Sequence, residues 1–349
     1  MDDIKNDPVE QKFRMLLEEG AKIPADADDP MITLPEYYDP IKFRTGQDVF
    51  RNNFFTMMVA KLSGLLILLA VPSVLAILKF TKQSGTPCTA FRRYASTILH
   101  TCIWYKNPAD ETSEFFTSLK NVRRKHCVAS RRSYEAGISR ISQLDMALTQ
   151  FGFIGFTLLS GKKLGVVTTD EELEGLLHFW RVIGRLLGTE EKYNLCNGSL
   201  NECRDLCRRL LEDVLVPHLA NKRKDFEEMS TVLLEGLWPI HPFIGRKAFK
   251  LFTYNLISST VTNNNHSLEI DDKSLPFASR LLLHFHTFIH DYLLNISYWW
   301  SSIFRYLLNC SMALNVYLTE HCPFLAYWLW GKKQSLYNIY KYNFDEKKS

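Results

Sequence analysis

The sequence lacks a CxxC pair, a Glu-x-x-His pair, a repeat of fixed period and any clear alternating apolar–polar run, and each absence removes a class of protein. Its eight cysteines (Cys88, Cys102, Cys127, Cys196, Cys203, Cys207, Cys310 and Cys322) are scattered, so neither a zinc ribbon nor a thioredoxin-type motif is supported. Cys203 and Cys207 alone are tightly spaced, one helical turn apart, with no nearby Cys or His to complete a metal set. Without paired Glu-x-x-His motifs a di-iron carboxylate bundle is set aside. Long basic runs are missing as well: 42 Lys and Arg against 38 Asp and Glu give a net charge of +4, too little to track phosphates, so nucleic acid is not an expected partner. The N-terminus, Met1 to Pro8, has neither the basic start nor the apolar run of a secretory signal.

What is present is helical periodicity. From Ile41 onward apolar residues recur at helical spacing, and 46% hydrophobic residues over 349 positions can build a large core. We expect an all-α protein with a single large helical domain. Residues 1–40 read as an acidic arm interrupted by Pro24, Pro30 and Pro35, with one helix near Glu10 to Glu19. Residues 41–261 form the helical body, 262–273 an Asn- and Asp-rich loop, and 274–349 an aromatic-rich helical C-terminal region. Helix breaks are expected at Gly85–Pro87, Asn107–Asp110, Gly161–Lys163, Gly188–Gly198 and Pro239–Gly245. The clearest start is Thr168-Thr169-Asp170-Glu171-Glu172, which supplies a cap and first-turn acids and predicts a helix over Asp170 to Leu187. On it Trp180, Gly184 and Gly188 fall at i,i+4 positions, a stripe that lets another backbone approach.

The most apolar stretch, Leu62 to Leu78, spans 17 residues and contains Pro72. It reads first as a buried core helix and second as a membrane span at the lower limit of length. Tyr298-Trp299-Trp300 and Tyr327-Trp328-Leu329-Trp330, followed by Lys332-Lys333, are compatible with lying in a membrane interface. Arg123-Arg124-Lys125 with Arg131-Arg132 reads as a solvated helix face, or as a patch for anionic headgroups.

Two helical segments carry candidate chemistry. Arg92, Ser96 and His100 share one face at one-turn spacing, so an Arg and a hydroxyl could hold an anion or polarise dioxygen, or else satisfy a helix end and fill a packing gap. Further on, Val122 and His126 share a face. A neutral imidazole is a standard axial ligand for haem iron when its other nitrogen is oriented by an acceptor. Phe151, Phe153 and Phe156 could line a pocket, though most of them read as core, and Asp145 with Thr149 could orient a ligand or bond within the helix.

Val122-Arg123-x-x-His126, preceded by Arg92-x-x-x-Ser96 and followed by Ile141-Ser142-Gln143-x-Asp145-Met146 and His178-Phe179-Trp180-Arg181-x-Ile183-Gly184-x-x-Leu187-Gly188, resembles the MpaB and rubber oxygenase family. The resemblance runs from about Arg92 to Leu219. It implies a globin-like helical core holding haem b, and oxidative cleavage by dioxygen of carbon–carbon double bonds in prenyl or other lipid-like chains. By position His126 resembles the proximal iron ligand, Arg92 a pocket arginine that contacts the cofactor and takes part in catalysis, and Ser96 the hydroxyl where the family has Thr. The resemblance also implies association with a membrane, at the endoplasmic reticulum, and the alternative location is the cytoplasm. Rubber-cleaving members carry a Glu base on the preceding helix, whereas Leu62 to Leu78 contains no acid. The alternative is a haem-binding or haemless relative that has lost catalysis and acts as a helical scaffold at a membrane.

Overall fold

The computed structural model describes residues 7–26, 32–221, 223–261 and 275–340. The described residues form helices and connecting turns, with one isolated antiparallel bridge between Pro24 and Ser142. The all-α expectation therefore holds. The Asn- and Asp-rich segment expected at 262–273 lies outside the described residues.

The centre is α3 (Phe54–Leu68), apolar on nearly every side and buried on nearly every side. It packs along α7 (Gln143–Leu164), and the two backbones touch where Gly64 meets Gly152. Around this pair lie α1 (Pro8–Met15), α2 (Pro40–Asn52), α4 (Pro72–Phe80), α5 (Pro87–Lys106), α6 (Glu114–Glu135) and α8 (Asp170–Leu187). α9 (Leu200–Leu210) runs through a π-helical turn into α10 (Val216–Ala220), and α11 (Lys224–Leu237) and α12 (Arg246–Ser258) follow. α1 packs on α9 and sends Phe13 into the core.

The apolar run Leu62 to Leu78 is not one helix. It breaks at residues 69–71, and α3 and α4 meet at 91°. Pro72 is the cause: it restricts the preceding residue, and Val71 is extended at φ −75°, ψ 120°. Among the described residues no single helix is long and apolar enough to cross a membrane, while the bent pair α3 and α4 meets that requirement jointly by length and composition. The packing of α3 supports its reading as a core helix.

α8 runs over Asp170 to Leu187, as its caps predict. Thr169 and Glu172 form a reciprocal capping box, and Gly188 ends the helix at φ +107°, a left-handed conformation that suits glycine. What approaches the glycine stripe differs from the expected backbone at one position: a side-chain amide, that of Gln150, lies against Gly184, while the Ala25 carbonyl lies against Gly188. The break expected at Gly161–Lys163 is only a kink, at Ser160, and α7 continues to Leu164.

The C-terminal helices α13 (Phe277–Phe288), α14 (Ser301–His321), α15 (Phe324–Trp330) and α16 (Lys332–Ser335) lean on α3, α5 and α12. They leave many large apolar side chains outside: Phe277, Trp299 and Trp328 are each more than three-quarters exposed. Beyond α16 the chain runs back across α5 and α6 as a strap. The Ile339 carbonyl accepts from His100 Nε2 at 3.1 Å and also from the Lys125 ammonium, and the Tyr340 carbonyl accepts from Asn121 Nδ2 at 3.0 Å.

Candidate functional site

Between α4, α5, α6, α7, α8 and the strap lies a cavity of about 1470 Å³. Arg92, Ser96 and His100 line it from α5, and Val122 and His126 line it from α6. The i,i+4 faces read from the sequence thus converge on one space. Phe153 lines the wall, whereas Phe151 and Phe156 are buried in the core.

The two histidines on the wall differ in kind. His100 is occupied at both nitrogens. Trp104 Nε1 donates to Ser118 Oγ at 2.8 Å, which leaves the Ser118 hydroxyl to donate to His100 Nδ1 at 2.8 Å, while Nε2 donates to the Ile339 carbonyl. His126 has no hydrogen bond to any described residue, and its Nδ1 is buried without a partner. The acceptor expected behind a ligating ring is therefore missing among the described residues. Burial pushes the His126 pKa down to about 4, with Arg93 and Lys125 adding to the effect, so the ring is neutral at physiological pH. Leaving a buried nitrogen unpaired costs on the order of 1–3 kcal/mol; His241 Nδ1, His286 Nδ1 and His290 Nε2 are unpartnered too, and His126 differs from them in lining the cavity.

The remaining candidates take other parts. Arg92 lines the cavity with its Nε buried and unpartnered. Asp145 is tied down: Oδ2 accepts from Ser142 in a capping box, and Oδ1 accepts from Ser73 of α4 at 2.6 Å. Thr149 donates to the Asp145 carbonyl at 2.7 Å, a bond within the helix. His178 Nε2 accepts from the Asp39 amide at 3.0 Å. The Trp-Arg-x-x-Gly element also has a packing basis. Trp180 Nε1 donates to Tyr105 Oη at 2.7 Å, and Gln150 Nε2 passes over Gly184 to reach the Trp180 carbonyl at 3.1 Å and Asn194 Oδ1 at 3.0 Å.

The basic cluster on α6 is not simply a solvated face. Arg123 is buried and donates from Nη1 to the Leu186 carbonyl at 3.2 Å, in the last turn of α8. Lys125 and Arg132 line the cavity. Sequence reading missed these two, together with Arg93 and the strap residues Leu336 to Asn338, all of which also line it. The i,i+4 step from Lys125 to Ala129 and the i,i+3 step on to Arg132 were the available signal for the α6 cations.

Three further buried rings give a test of the fold. Burial holds His100, His241 and His290 at pKa values of about 4, with Lys125 adding to the effect on His100 and His286 adding to it on His241 and His290. Unfolded histidine titrates near 6.5, so below that pH the unfolded chain takes up protons that the fold refuses. Stability is then full above about pH 6.5 and falls as the pH drops toward about 4. Thermal melts from pH 7 to 4.5 should show a steady fall in Tm, with about three protons taken up on unfolding near pH 5 from these rings. A flat Tm between pH 7 and 5 would mean that the rings titrate normally.

An all-helical body around a large cavity, with an unpartnered neutral imidazole and an arginine on its wall, has the makings of a helical oxygenase domain. Residues 49–257 match the family model described as ER-bound oxygenase mpaB/B′/Rubber oxygenase, catalytic domain, and the chain belongs to that family. Its fold is similar to that of latex clearing protein LCP in the closed state, with a TM-score of 0.51 at 15% identity, covering 87% of this chain and 84% of that one. No match is found among curated proteins. The matched range runs from the last turn of α2 into the last turn of α12, so the strap lies beyond it.

Proposed function

We propose that the protein is a haem b-dependent oxygenase that acts with dioxygen on an apolar, prenyl or lipid-like chain at a membrane surface. The observation that carries this reading is His126, a neutral imidazole with no hydrogen bond to any described residue, on the wall of a cavity larger than the 300–1,000 Å³ typical of small-molecule sites. The cavity has room for a macrocycle and a second occupant. His126 would hold the iron, and Arg92, whose buried Nε is unpaired, would hold a propionate carboxylate. Haem, when bound, supplies the iron at which dioxygen is bound and activated.

The chain's own residues have separate tasks. Leu65, Leu68, Ile77, Leu78 and Phe153 present an apolar wall that accepts hydrocarbon and keeps water from the reacting centre. Ser96, one turn from Arg92, offers a hydroxyl that can donate a proton into the cavity. Asp145, the acid on the wall, is occupied by Ser142 and Ser73 and is poorly placed to serve as a base. That last feature favours the second reading, a helical scaffold without catalysis. Attachment to a membrane is supported by the exposed aromatic residues of α13 to α15, where Tyr and Trp suit the headgroup region, and its place at the endoplasmic reticulum follows the description of the matched family.

The test is the visible spectrum of protein expressed with added haem, with the pyridine haemochrome quantified. We expect a Soret band at near-equal haem and protein, followed by oxygen uptake with prenyl or lipid alkenes. A colourless protein that cannot be reconstituted would leave the scaffold reading in place.

A further inference from the structure

The cavity wall is basic well beyond the needs of the chain as a whole. Lys82, Arg92, Arg93, Lys125, Arg132 and Lys333 line it, against the single carboxylate of Asp145 among the described residues. The protein carries a net charge of only +4, so composition does not explain the asymmetry. Two propionates would still leave the wall basic.

The surplus gathers at one end. The first turns of α5 carry Arg92 and Arg93, and Arg93 Nη1 donates to Thr81 Oγ1 at 3.2 Å, beside Lys82. Cys88, in the first turn, lies 3.5 Å from the Gln334 carbonyl, and Gln334 is next to Lys333. Lys82 and Lys333 are exposed while Arg92 and Arg93 are half-buried, so the charges run from a rim inward. Lys82, Arg92 and Lys333 have no carboxylate within 4.0 Å among the described residues. The N-terminal end of α5 adds its partial positive charge to the same place. Past this mouth the wall turns apolar at Val74, Ile77 and Leu78.

We infer that the second occupant of the cavity is a long-chain amphiphile with an anionic headgroup, a carboxylate or a phosphate. The head sits at the mouth between Lys82 and Lys333, near Arg93, and the tail runs inward along α4. A cleft of one sign with low-dielectric walls concentrates ligands of the opposite sign, and the unpaired cations favour an anion over a neutral head. This names the substrate class of the oxygenase proposed above, and it rests on that reading for the reaction but not for the binding.

The test is calorimetric titration of the haem-loaded protein with oleate, oleyl phosphate, oleyl alcohol and methyl oleate, at low and high salt. At low salt, binding of at least one anion should be about tenfold tighter than that of either neutral ligand, about 1.4 kcal/mol. That preference should shrink as salt rises. Whichever anion binds more tightly identifies the head. Lys82→Gln with Lys333→Gln, at two exposed positions, should remove most of the preference while leaving haem content and oleyl alcohol affinity unchanged. Equal affinity for charged and neutral ligands, no binding by any of them, or a preference seen only without haem would each overturn the inference. A Soret band with no anion preference rejects this proposal alone, whereas a colourless protein rejects the haem reading.

Discussion

His126→Ala should bring haem content close to zero while leaving the apoprotein as stable as the parent. The two halves of that expectation rest on one observation, that the ring has no hydrogen bond to any described residue. A histidine kept for the fold makes bonds whose loss costs stability. His100 is such a residue, in a chain from Trp104 through Ser118 to the Ile339 carbonyl. His100→Ala should therefore lower stability by about 2–3 kcal/mol, from lost bonds and a stranded Ser118, and should spare haem. The measurements are haem titration followed by the Soret band, and thermal melts of the two apoproteins. If His126→Ala retains haem while His100→Ala loses it at unchanged stability, the ligand assignment moves to His100.

The second large effect is expected far from any chemistry. A Cβ placed on Gly64 would lie 2.3 Å from the Gly152 carbonyl oxygen and 2.8 Å from the Gly152 carbonyl carbon and Cα. All three are backbone atoms, so no side chain can swing aside and α3 must move away from α7. Overpacking of this kind costs about 1–3 kcal/mol or more, and only about 1 kcal/mol is returned by the better helix propensity of alanine. We expect Gly64→Ala to lower stability by about 2 kcal/mol or more and to weaken haem uptake, because α7 carries Thr149, Gln150 and Phe153 on the cavity wall. The reciprocal change should be harmless. A Cβ on Gly152 finds its nearest neighbours at 3.7 Å, ordinary contact, so Gly152→Ala should be neutral or slightly stabilising. Urea melts of the two variants decide the matter. Equal tolerance would mean that the helices are not in backbone contact.

The contrast between these glycines marks how far a sequence can be read. Where structure follows from neighbours in the chain, it was legible. Thr169, Glu172 and Gly188 delimit α8 because caps and left-handed turns are local chemistry. Arg92, Ser96 and His126 were found together because helical spacing sets their faces and the family pattern joins the two helices. The family assignment likewise held. Where structure depends on what a face meets, sequence was silent. Pro72 was visible, but the 91° turn it permits was not, since the apolar run reads as continuous on both sides. Spacing put Arg123 on a helix without saying that it would reach the Leu186 carbonyl. The strap is held largely through backbone carbonyls more than 200 residues distant in sequence from their donors, which leaves no pattern of side chains to read.

That strap also sets the timing of assembly. The cavity wall draws on residues from Leu65 to Asn338. Until residue 338 has left the ribosome the pocket has an open side, and Lys125 and His100 lack their shared acceptor on Ile339. The α3–α7 scaffold can form much earlier, from contacts within the first half of the chain. A cofactor present during synthesis therefore meets a body already folded at its centre but not yet closed at its edge, whereas one added later enters past the strap through the mouth of the cavity.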